Sequence, residues 1–198
     1  MTERAHHRPM RPGSDFFAAI GGGEDPARLR EAADLAANLL VRGAHGTDDP
    51  GVAERVLHLA DSEGIETIAE VWSGSPADSL AGCLWRLFVL RSWVYADPAA
   101  VAREYDAGVT RAPVARVVAG VADPPGPDEL KTMVDEVLRG IAASDFADVL
   151  FRAAAFARVV ATGRAVLAEP TEEDVQRMLA LAEQLEAAGH EELAQGLS

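Results

Sequence analysis

The chain of 198 residues is 48% hydrophobic but only 6% aromatic, with 18 basic against 32 acidic side chains and a formal net charge of −14. That length suits one substantial domain with at most an appended helix, and the composition excludes a wholly disordered, collagen-like or low-complexity polymer. A single cysteine, Cys83, excludes an intrachain disulfide framework and a cysteine-based zinc cluster, and the negative field works against a nucleic-acid coat or a binder of anionic membranes.

Residues 1–24 carry Arg4, Arg8 and Arg11 and one short apolar stretch, Phe16 to Ile20, too short for a secretory core. We expect a flexible N-terminal segment there, a helical domain over 25–168 and an acidic helical segment over 169–198. From residue 25 onward, helix starts dominate the pattern. Asp25-Pro26, Asp49-Pro50 and Asp97-Pro98 each set an N-cap acceptor before a proline that needs no N–H at the first helical position. Ser75-Pro76-Ala77-Asp78 and Thr171-Glu172-Glu173-Asp174 have capping-box spacing, and Pro127-Asp128 and Ser144-Asp145 make similar starts. Expected stops are Gly43, Gly64, Gly108, Gly120, Gly189 and the run Asp123 to Gly126. These marks predict helices at 26–42, 50–63, 65–73, 76–96, 98–107, 112–121, 127–142, 145–167, 171–188 and 190–197. No segment alternates as a strand does, so the fold is expected to be all-α, a multi-helix bundle.

Two helices are expected at its centre. Over 76–96 the apolar groups Leu80, Leu84, Trp85, Leu87, Phe88, Val89, Leu90, Trp93 and Val94 cover nearly the whole circumference, which predicts neighbours on every side. Arg86 and Arg91 must then reach the edge or meet carboxylates. Over 145–167, Phe146, Val149, Leu150, Ala153, Phe156 and Val160 form one stripe among alanines that let helices approach closely. Charges interrupt both segments, so neither is expected to span a membrane, and a cytoplasmic location is expected.

Candidate chemistry is sparse. Glu54, His58 and Asp61 share a helical face, as do the carboxylates Glu63, Glu66 and Glu70, and Asp145 and Asp148 lie three apart. All-α phosphohydrolases hold magnesium with helical carboxylates of this kind, which makes a metal-dependent enzyme one alternative. The four-carboxylate pattern is incomplete, and Asp145 and Asp148 are equally explained as first-turn acids facing the helix dipole. Gly21-Gly22-Gly23 precedes a helix, but the adjoining Glu24 and Asp25 would repel a phosphate. Cys83 lies in an apolar helix, where a thiol is usually inert. No cofactor is expected.

Residues Val101 to Val118 contain Gly108-Val109-Thr110 followed by Val114-Ala115-Arg116-Val117. This stretch resembles the helix-turn-helix of LacI-type repressors. The resemblance implies a DNA-binding regulator using 98–121, with Arg111 and Arg116 facing the major groove and Thr110 on a phosphate. Two ordinary helices joined by a glycine stop explain the same residues. Leu84-Trp85-Arg86-Leu87-Phe88-Val89-Leu90-Arg91-Ser92-Trp93, with Ala112-Pro113-Val114 and Val117 to Pro127, resembles a group of all-helical actinobacterial proteins of unknown function. That resemblance implies packed helices and no catalytic residues.

Residues 169–198 hold eight acids and one base, a net −7 that is half of the chain's net charge of −14. Val175, Met178, Leu179, Ala182 and Leu185 form an apolar stripe there, opposite an acidic side. Such a helix docks into a groove of a basic-rimmed partner or packs on its own domain. The leading expectation is therefore a non-enzymatic, cytoplasmic interaction or regulatory protein, with Val175, Met178, Leu179 and Leu185 available to a protein partner. Deletion of 169–198 would then leave a folded domain.

Overall fold

The computed structural model describes residues 26–42, 69–70, 72–111, 124–138, 145–167 and 170–197. Among them lie six helices and no strand: α1 (Pro26–Arg42), α2 (Leu80–Ala96), α3 (Pro98–Arg111), α4 (Pro127–Leu138), α5 (Phe146–Leu167) and α6 (Glu172–Gln195). The protein is all-α, and no helix among the described residues is long and apolar enough to cross a membrane. The expected helices at 50–63 and 112–121 lie outside the described residues.

Local chemistry explains most of the starts. Asp97 Oδ1 accepts from the Ala100 N–H at 3.0 Å, so α3 begins on its Asp-Pro pair as expected. Asp145 does the same for α5 through the Ala147 N–H at 3.0 Å. Thr171 and Asp174 form a full capping box at the head of α6. The start of α2 differs from expectation. Ser79, rather than Ser75, is its N-cap, accepting from the Gly82 N–H at 3.1 Å. The reason is packing: the Ser75-Pro76 turn folds back over the helix, so that a Cβ at Gly82 would stand 1.7 Å from the Pro76 carbonyl oxygen.

Two expected glycine stops are also absent. Helix α3 runs through Gly108 to Arg111, and α6 runs through Gly189 to Gln195, merging two expected helices. Both glycines serve close contact. A Cβ at Gly108 would stand 1.9 Å from the Val159 carbonyl oxygen, and one at Gly189 would stand 2.9 Å from the Phe151 ring. Among the described glycines the one at positive φ is Gly196, at φ 77°, just past the end of α6.

The two expected central helices occupy that place in one shared core. Helix α5 packs on α3 and α6 and touches α4, while α2 packs on α1 and α4. Leu84, Leu87, Leu150 and Phe156 are fully buried within it. Ion pairs tie the helices around this core: Arg42–Glu192 joins α1 to α6, Arg91–Asp135 joins α2 to α4, Arg152–Glu129 joins α5 to α4, Arg158–Glu186 joins α5 to α6, and Arg164–Glu104 joins α5 to α3. Arg91 thus meets a carboxylate, as burial of its helix requires.

Candidate functional site

Helix α2 is not covered all round. Trp85, Val89 and Trp93, at i, i+4 and i+8, form a stripe that is only partly buried, with Val89 39% exposed. Opposite them, α6 presents Arg177, Met178, Leu181 and Gln184. Between the two helices lies a cleft of about 570 Å³, with Arg86 and Arg164 among its lining residues. From Trp85 to Trp93 the α2 wall runs ~12 Å at the helical rise.

Side chains stand at both ends. At one, the Arg164 guanidinium sits 4.6 Å from the Trp93 ring centroid, donates from Nε to Glu104 Oε2 at 2.8 Å and reaches the Asp174 carbonyl oxygen at 3.4 Å. Stacking on tryptophan and pairing with a covered carboxylate fix this cation in place. At the other end, Arg86 donates from Nε to Gln184 Oε1 at 2.7 Å and from Nη1 to the Gly82 carbonyl oxygen at 2.8 Å. The contacts at the two ends show that α2 and α6 run antiparallel across the cleft. Trp85 is backed by Phe88, ring centroids 5.9 Å apart.

The carboxylate lining the cleft is Asp174. Its Oδ2 accepts from the Thr171 hydroxyl at 2.6 Å and from the Thr171 N–H at 3.1 Å, and its Oδ1 lies 3.6 Å from Arg177. The Thr171 hydroxyl, then its N–H, hold this carboxyl below the usual range, and Arg177 and Arg164 act in the same direction. Asp174 is therefore ionised and committed to capping α6. Ser73 spends its hydroxyl on the Glu70 carbonyl oxygen at 2.8 Å. The cleft is thus an apolar, aromatic trough edged mainly by N–H donors.

The residues singled out in the sequence do not assemble there. Glu54, His58, Asp61, Glu63, Glu66 and Arg116 lie outside the described residues, and Glu70 is exposed. Among the described residues no three His, Cys, Asp or Glu side chains are grouped to hold a metal ion. Asp148 is exposed in the first turn of α5, and Asp145 is that helix's cap. The turn that a helix-turn-helix needs at Gly108-Val109-Thr110 is helix instead, because Gly108 is held against α5. Thr110 donates its hydroxyl to the Asp106 carbonyl oxygen at 3.0 Å within α3, and Arg111 is exposed in the last turn.

The apolar stripe of the C-terminal helix packs largely on its own domain, one of the two arrangements expected for it. Met178 is 7% exposed and Leu185 fully buried, both in the common core, while Val175 and Leu179 are half-buried. The core-facing alanines of α5, among them Ala153, Ala154 and Ala157, are fully buried and let α6 approach closely enough to bury its own stripe. The stripe is thus packed within the chain along much of its length and meets the cleft at Met178. Cys83 is buried, and burial pushes its thiol up to about 12, so it is no nucleophile.

No protein-family model matches this chain, and no curated protein or solved structure matches it either.

Proposed function

We propose that the protein is a non-enzymatic, cytoplasmic helical binding protein of interaction or regulatory type, and that its binding element is the cleft between α2 and α6. The observation that carries this reading is the pair of half-buried tryptophans, Trp85 and Trp93, on one wall of a 570 Å³ cleft. Ligand sites typically occupy a few hundred to about 1,000 Å³ and set a few polar groups among apolar walls. Tryptophan is also the side chain that most often anchors a bound partner.

A binding role rather than a catalytic one is supported by the cleft's chemistry. Its serine and carboxylate are each spent on local capping or turn contacts, and its remaining polar groups are guanidinium and amide donors. The lone, buried thiol fits a reducing compartment. The resemblance of Leu84 to Trp93 to an actinobacterial helical group belongs with this proposal, since that segment builds the tryptophan wall.

The neutral apolar dye N-phenyl-1-naphthylamine tests the reading. We expect saturable fluorescence enhancement that weakens at least tenfold in Val89→Glu, a position exposed enough to leave the core intact. No saturable binding, or equal binding to a normally folded Val89→Glu, contradicts it.

A further inference from the structure

We infer that the guest of this cleft is a small amphipathic carboxylate: a flat apolar body lying between Trp85 and Trp93, with its single anionic group met by Arg86 and Gln184. The inference rests on the binding role proposed for the cleft and adds the chemistry of what enters it.

Among the described residues, positive charge is mostly met by carboxylate or by water. Five arginines are each paired with a carboxylate on another helix: Arg42, Arg91, Arg152, Arg158 and Arg164. Arg177 pairs with Glu173 and Asp174 on its own helix, and Arg103 and Arg111 are exposed to water. Arg86 is different. It is half-buried, and its partners are a glutamine amide oxygen and a backbone carbonyl, both neutral. Among the described residues no carboxylate pairs with it. A partly dehydrated guanidinium without a counter-charge is a standing cost that an oxyanion relieves.

The remaining donors converge on the same end of the cleft. Arg86 commits Nε and Nη1 within the chain, which leaves Nη2. The Nε–H can only donate, so the Gln184 atom facing it is the carbonyl oxygen, and the Gln184 amide nitrogen is left with its own donors. A carboxylate entering here meets donors of two kinds, one of them charged. Asp174 lies at the opposite end of the cleft, where Thr171 holds its carboxylate.

Size and shape complete the class. The apolar surface next to Arg86 is the wall of Trp85, Val89 and Trp93 facing Met178 and Leu181, which suits a flat, largely hydrocarbon body. Contacts at both ends bound a trough of ~12 Å, the length of a small molecule rather than of a peptide running through. Arg86, which pairs with no carboxylate among the described residues, calls for one negative charge.

The test is a competition on the full chain, in which indole-3-butyrate and its neutral amide, indole-3-butyramide, displace bound N-phenyl-1-naphthylamine. The two competitors share body and size and differ in charge. We expect the carboxylate to compete at concentrations at least tenfold lower than the amide, with the advantage shrinking as salt is added. Arg86→Gln should abolish the preference, read as the ratio of the two competitors' inhibition constants in that variant. Gln184→Glu, at an exposed position with no core contact to lose, gives Arg86 a counter-charge within the chain and should abolish the preference likewise. Equal competition by carboxylate and amide, or a preference that survives Gln184→Glu, overturns the anion inference while the binding cleft stands. Failure of the neutral dye itself to bind overturns both.

Discussion

Gly163 on α5 lies directly against the backbone of Glu104 on α3, so that a Cβ built on the glycine would stand 1.7 Å from the Glu104 carbonyl oxygen. The two helices meet backbone to backbone at this point, and Gly108 on α3 makes the reciprocal contact with Val159 on α5. A methyl group here has no flexible side chain to displace; the helices themselves must separate. We predict that Gly163→Ala destabilises the protein by about 3 kcal/mol despite alanine's better helix propensity. Urea denaturation followed by circular dichroism checks this, and a stabilised or unchanged variant refutes the close crossing.

One residue along, Arg164 and Glu104 pair across the same helix crossing, with side chains only 12% and 13% exposed. Arg164 also stacks on Trp93, so the pair links α2, α3 and α5. Removing either partner leaves a covered charge against apolar surface. Glu104→Gln is expected to cost about 2 kcal/mol. A double-mutant cycle with Arg164→Met should return a coupling of about 1–2 kcal/mol, and additive single-mutant effects would show that the pair contributes nothing as a pair.

Acid should loosen the end of α6 first. Glu192 accepts from both Arg42 amino groups and, through Oε2, from the Leu197 N–H at 2.8 Å. The Arg42 hydrogen bonds hold its carboxyl below the ordinary value of 4.5, burial opposes them, and the Leu197 N–H adds to the lowering. A carboxyl whose value is depressed in the folded state contributes stability that is complete above the unfolded value and is lost as pH falls through the folded one. The difference in Tm between the protein and Glu192→Gln should thus be constant well above about pH 4.5 and should narrow progressively below it. A gap that widens in acid contradicts the clasp.

Cys83 should be silent while the protein is folded. With its Sγ facing the Ala77 carbonyl oxygen at 3.5 Å and its thiol raised to about 12, it carries almost no thiolate at neutral pH. Ellman's reagent should react with the native protein at least a hundredfold more slowly than with the urea-unfolded chain. Comparable rates would mean that the start of α2 opens readily.

Helix starts are legible in the amino-acid sequence because capping is local: Asp97-Pro98 and Thr171 to Asp174 contain the whole of their own chemistry. Helix ends are less so. Glycine marks either a left-handed residue or a place where a Cβ does not fit, and nothing near Gly108 or Gly189 separates the two uses, which depend on Val159 and Phe151 far from them in the chain. The same ambiguity hides the true start of α2, since Ser75 and Ser79 both suit a cap and the Pro76–Gly82 contact decides between them. The stripe of Met178 and Leu185 is plainly apolar in the sequence, but its occupant, the alanine face of α5, emerges only from the packing. The cleft is the least legible feature. Trp85, Val89 and Trp93 carry helical spacing that reads as core, and the charges around them, Arg86, Arg164 and Arg177, come from three helices.

The cleft exists only if α6 is a permanent wall of the fold rather than a detachable arm. Native-state hydrogen exchange measures that directly. The amides of Met178, Ala182 and Leu185 should exchange only through the global unfolding that also exposes Leu150 and Phe156 on α5, with the same free energy and the same denaturant dependence. Exchange of the α6 amides through a separate, smaller opening, with α5 still protected, would contradict the account.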